Sequence, residues 1–179
     1  MEEFLDKKTL VLGEVGTGKT TFLIRFLEFL IENSYSRDVT VIDMAPSKNY
    51  GVGGAIVEYT DIVLNVKYLR PSNIWPPRLL GRDKIEVLKY SEENVKNLEP
   101  LIEEFISNPT KILLINDLTI YLHAGDIEKI FKVIDLSRTF MATAYEGVKL
   151  EDDKGSSITE KERRLLNMLK KRVDNIVKF

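Results

Sequence analysis

One octapeptide near the start of the chain limits what it can fold into. Gly13-Glu14-Val15-Gly16-Thr17-Gly18-Lys19-Thr20 satisfies the pattern G-x-x-x-x-G-K-[ST] in full. Average residue usage produces that pattern by chance in roughly one chain in a hundred of this length. The flanks narrow the reading further. Before it, Thr9–Leu12 is an apolar run that reads as a buried strand. After it, Thr20–Asn33 places Phe22, Leu23, Phe26, Leu27, Leu30 and Ile31 on one helical face. Glycines between a strand and a helix let successive backbone N–H groups turn inward. Together with the helix N-terminus they make a cradle for phosphate oxygens. The cradle residues are Gly13, Val15, Gly16, Thr17, Gly18, Lys19, Thr20 and Thr21; Lys19 reaches the outer phosphates and the Thr20 hydroxyl is a magnesium ligand.

Further along, elements of both kinds alternate. Val39–Ile42 is β-branched and ends at Asp43, and Lys111–Asp117 is the clearest strand, Ile112-Leu113-Leu114-Ile115 followed by Asn116-Asp117. Phe140–Tyr145 and Asn175–Phe179 read as two more strands, and Ile62–Leu64 as a short one. A helix is expected from an N-cap at Ser91, kinked or restarted at Pro100, then one capped by Asp126 and one opened by the box Thr159-Glu160-Lys161-Glu162. Residues 55–90 read as an irregular insertion and 146–157 as a polar, mobile loop. The order predicts a single α/β domain over 1–179, a three-layer sandwich around a mainly parallel sheet of about five strands.

On the octapeptide and this element order the chain resembles the P-loop NTPase superfamily. The form Gly-Glu-Val-Gly-Thr-Gly-Lys-Thr-Thr looks most like its ATPase branch, with a RecA-like or AAA-type core. The resemblance implies ATP and Mg²⁺ as ligands, with Lys19, Asp43, Asp117 and Thr143 as catalytic candidates and Thr20, Asn116 and Asp117 on the metal. Two registers are open at the acid strand. Either Asn116 takes the magnesium-side position and Asp117 the water-activating one, or Asp117 is the magnesium-side acid and the neighbouring acid is missing. Asp43, at a strand end, is the general-base or water-orienting candidate. Thr143, with Thr139 as alternative, resembles a polar sensor on a strand between the P-loop strand and the acid strand. His123 is a further phosphate-sensing candidate, and Arg70, Arg78, Arg82 and Arg138 are candidates for stabilising a neighbouring subunit's nucleotide. No Asn-Lys-x-Asp motif is present to read guanine, which favours ATP. The expected activity is ATP hydrolysis coupled to conformational or assembly change. The alternatives are a small-molecule or polynucleotide kinase and a non-hydrolysing switch.

Composition removes other classes. There is no cysteine and one histidine among 179 residues, which excludes thiol catalysis, iron–sulfur clusters and His-rich metal sites. Lys+Arg 26 against Asp+Glu 28 gives a net charge of −2, no global field for holding nucleic acid by counterion release. The Tyr68–Arg82 stretch mixes basic and aromatic residues and keeps a local nucleic-acid or protein contact open. A homo-oligomer or larger complex stays open as well. No stretch is apolar enough to span a membrane, and Met1–Asp6 lacks a signal-peptide pattern, so a cytoplasmic protein is expected. The absence of Gln and Cys hints at a thermophilic source.

Overall fold

A computed structural model describes all of residues 1–179. Six strands form one all-parallel sheet: β1 (Lys8–Gly13), β2 (Val39–Asp43), β3 (Lys67–Leu69), β4 (Ile112–Asn116), β5 (Thr139–Tyr145) and β6 (Asn175–Lys178). Their order across the sheet is β3-β2-β4-β5-β1-β6. The count is six, one more than the sequence suggests. The additional strand is β3, a three-residue edge strand inside the segment read as irregular. Ile62–Leu64, read as a strand, lies instead in a 3₁₀ turn over Ile62–Asn65. Three β-branched or apolar residues fit either conformation, and only the edge of β2 selects Lys67–Leu69 for pairing.

The central strands are buried on both faces, as a parallel sheet between helices requires. Successive residues therefore feed two cores. Beyond the short α2 (Pro77–Leu80), Leu10, Leu12, Leu113, Ile115, Phe140 and Ala142 pack toward α3 (Lys84–Ser107), α4 (Thr119–Leu122), α5 (Ile127–Leu136) and α6 (Ile158–Lys170). Val11, Val39, Val41, Ile112, Leu114 and Met141 pack toward α1 (Lys19–Glu32) through Leu23, Phe26, Leu27 and Leu30.

Two helix starts differ from the sequence reading. Ser91 lies inside α3, where its hydroxyl donates to the Val87 carbonyl; the cap is Asp83, which accepts from Glu86 N–H. The polar residues Ser91 and Asn94 occupy the buried face and hide the first half of the helix from a hydrophobic count. Asn94 is consumed by both backbone groups of Trp75. Pro100 is accommodated without ending α3 because it and Lys96, whose carbonyl loses its donor, are on the exposed side. At α6 no capping box forms. Ser157 is the N-cap, and Glu162 turns to Arg78 and His123.

Candidate functional site

The carboxyl ends of β1, β4 and β5 open on one cleft, as ligand sites of open parallel sheets do. Val15–Thr21, Asn116, Asp117 and Thr143 all line it, together with Ala45, Arg78, His123 and Tyr145. The cleft holds about 1060 Å³, counting space at its open mouth.

The loop from β1 into α1 turns through left-handed backbone at Gly16 (φ 78°) and Gly18 (φ 98°), where any side chain is strained. The N–H groups of Gly16 to Thr21 donate to no protein acceptor, so the loop presents a row of free donors at the positive end of a 14-residue helix. Lys19 Nζ lies across this loop, donating to the carbonyls of Gly13 (2.9 Å) and Glu14 (2.6 Å). Burial lowers the Lys19 pKa, while Asp117 and Glu14 favour its charged form.

Glu14 is a residue that sequence reasoning passed over. Its carboxylate accepts from the N–H groups of Val15 (2.9 Å), Val148 (2.9 Å) and Lys149 (3.1 Å). Desolvation opposes its charge, but these three donors outweigh it and hold the pKa at about 2. A Cβ on Gly147 would sit 2.3 Å from the same carboxylate. The glycine loop and the segment after β5 are thereby clamped together.

At the end of β4 it is Asn116, not Asp117, that meets Thr20. Asn116 is the last strand residue, and its Oδ1 accepts from the hydroxyls of Thr20 and Thr143, each at 3.2 Å. Asp117 follows at φ 56°, an uncommon conformation that Asp tolerates better than most residues. Its N–H donates to Thr143 Oγ1 at 2.8 Å. Burial raises the Asp117 pKa to about 6; Lys19 opposes that rise, and Glu162 and Asp43 add to it. Thr139 sits at the other end of β5, where its hydroxyl accepts from Asp6 N–H, so Thr143 is the member of the pair in the site.

Asp43 is placed differently from its expected role. It does not line the cleft and is fully buried. Its oxygens accept from Ala45 N–H (3.2 Å), Ile56 N–H (2.6 Å), the Tyr68 hydroxyl (2.6 Å) and Asn116 Nδ2 (2.9 Å). Both carboxylate oxygens are thereby occupied, and neither faces the cleft. Nothing in the sequence singles out Tyr68 as a partner, because that pairing depends on β3 joining the sheet.

The arginines separate as well. Arg82 pairs with Glu86 and Arg138 with Asp6, both at the surface, and Arg70 donates to the Ala45 carbonyl. Arg78 is 8% exposed and lines the cleft; its Nη2 donates to Glu162 (2.7 Å) and to Thr159 Oγ1 (3.2 Å). His123 is 4% exposed, with Nε2 at 2.9 Å from the same Glu162 oxygen. Burial lowers the His123 pKa, while the contact with Glu162 opposes that shift. Arg78 Nε and His123 Nδ1 have no partner.

No helix is long and apolar enough to cross a membrane. A scan against protein-family models and a search of curated proteins give no match to this sequence.

Proposed function

We propose that this protein is a magnesium-dependent ATP-binding protein of the P-loop NTPase type that hydrolyses ATP. The observation that carries the reading is the 3.2 Å contact between Thr20 Oγ1 and Asn116 Oδ1. It joins the glycine loop to the end of β4, with Lys19, Asp117 and Thr143 lining the same cleft. The strand order supports the ATPase branch, since β5 stands between β1 and β4 and carries Thr143 at its cleft end.

The residues fit Mg²⁺ with nucleotide phosphates. Mg²⁺ takes few protein ligands beside phosphate and water oxygens, and Thr20 Oγ1 with Asn116 Oδ1 provides such a pair. When bound, the ion neutralises charge on the outer phosphates. The loop N–H groups and Lys19 hold those phosphates and stabilise charge that builds between them in transfer. Asp117 orients the attacking water and takes its proton as the new oxygen–phosphorus bond forms and the β–γ bridge breaks. A raised pKa suits a base working near neutral pH. Glu14 ties the loop to Val148 and Lys149, so a shift of the loop on hydrolysis is passed to the segment leading into α6.

A second reading, transfer to an acceptor hydroxyl, draws on Arg78 and His123 in the cleft wall. Phosphate release from Mg-ATP without added acceptor, beside calorimetric ATP binding, separates the readings. Release without acceptor supports the ATPase. Binding without release favours transfer or a non-hydrolysing switch. No binding, or equal binding by Lys19→Ala, defeats the nucleotide reading.

A further inference from the structure

We propose that the negative charge serving the magnesium end of the cleft resides on β2 rather than β4. Asp43 acts through the Asn116 side chain as a positioning residue. The inference rests on the nucleotide reading above. Asp43 and Asn116 are paired across β2 and β4 in the sheet. Asn116 Nδ2 donates to Asp43 Oδ1 (2.9 Å) and to the Gly54 carbonyl (3.1 Å). Both partners only accept, so they fix the amide with its nitrogen inward. A flipped amide would set its oxygen against a carboxylate and a carbonyl in a buried site, where such contacts are costly. The amide oxygen is therefore held on the Thr20 and Thr143 hydroxyls. Because Thr20 donates its proton to that oxygen, its lone pairs remain for a cation.

Asp43 is suited to this work as a carboxylate. Ala45 N–H, Ile56 N–H, the Tyr68 hydroxyl and Asn116 Nδ2 all donate to its oxygens, and the Arg70 guanidinium stands 3.7 Å away. Donation from Asn116 into a carboxylate also polarises the amide and makes its oxygen a stronger acceptor and ligand, the way outer groups tune a metal's direct ligands. An asparagine at the end of β4 then does part of what an acid would do.

The test compares ATP affinity by calorimetry in Mg²⁺ and in EDTA. Asp43→Asn is expected to reduce the strengthening of ATP binding by Mg²⁺ by about 10–100-fold, with affinity in EDTA unchanged. The transposed pair Asp43→Asn/Asn116→Asp returns the charge to β4 and should recover most of the Mg²⁺ effect. Tyr68→Phe, outside the cleft, removes one donor from Asp43 and should weaken the Mg²⁺ effect several-fold in the same direction. This keeps the inference testable if Asp43→Asn does not fold. A merely structural Asp43 would alter melting temperature without changing the Mg²⁺ dependence. An unchanged Mg²⁺ effect in folded Asp43→Asn, or in Tyr68→Phe, overturns the inference while ATP binding itself stands. Absence of ATP binding by the unsubstituted protein defeats the nucleotide reading and the inference with it.

Discussion

Asp117→Asn should make the protein more stable and less active at once. Asp117 holds its proton more tightly in the folded chain than in the unfolded one, since its pKa rises from 3.8 to about 6. Folding stability therefore falls as pH climbs through that interval, and the whole penalty is present at neutral pH. Two pKa units correspond to about 3 kcal/mol as a ceiling. Because the side chain keeps some exposure in the cleft, solvent screening reduces this to about 1–2 kcal/mol. Asparagine removes the charge, keeps the shape and tolerates the left-handed backbone at this position. For a chain of this size the gain appears as a rise of roughly 2–8 °C in melting temperature. The assay is thermal unfolding of both proteins from pH about 4 to neutral, where the difference opens with rising pH and vanishes near the unfolded-state value. The same variant should lose about 10²-fold or more in turnover, as removal of a general base does. A melting-temperature difference independent of pH, or a loss of stability at neutral pH, would refute the argument. It would mean that pairing with Lys19 outweighs the cost of burial.

The other predictions concern separate parts of the cleft. In Lys19→Ala, ATP affinity should fall by at least about tenfold with the melting temperature little changed, because Lys19 packs no core; calorimetry checks it. In the unsubstituted protein kcat/KM for ATP should fall below pH about 6 as Asp117 takes up its proton, which a pH–rate profile measures. Gly147→Ala should destabilise the clamp, because its Cβ would stand 2.3 Å from the Glu14 carboxylate. Faster amide exchange at Val148 and Lys149 is the readout, and unchanged exchange would mean the segment is held by something other than Glu14.

The sequence made the parallel core legible and the edges obscure. Strands such as Ile112–Ile115 are continuous apolar runs because helices cover both faces, and that pattern needs no partner to be recognised. β3 is only half-buried on a sheet edge, and its three residues carry no such signal. The first half of α3 was hidden for the opposite reason, since Ser91 and Asn94 are polar yet buried by specific hydrogen bonds. At the site, the glycine loop could be read from local chemistry alone. The placement of Asn116, Asp117 and Asp43 could not, because one residue of register decides which side chain meets Thr20. That register is set by β4 pairing with β2 and β5.

Two buried polar clusters flank the cleft, Asp43–Asn116–Tyr68 on one side and Arg78–Glu162–His123 on the other. Neither is explained by stability. Apolar residues of similar volume are often as stabilising as a buried ion pair, and the unpartnered Arg78 Nε and His123 Nδ1 each carry a desolvation cost of about 1–3 kcal/mol. Asp117 adds its own burial penalty and an uncommon backbone conformation between them. Costs of this kind gathered around one opening, next to a row of free backbone donors, are the pattern of a site organised for a charged ligand. The two clusters also differ in kind. On the Asp43 side the donors and acceptors are matched, which suits a cluster whose work is to hold Asn116 still. On the Arg78 side two buried nitrogens remain free, so that cluster carries the larger cost for being kept beside the cleft.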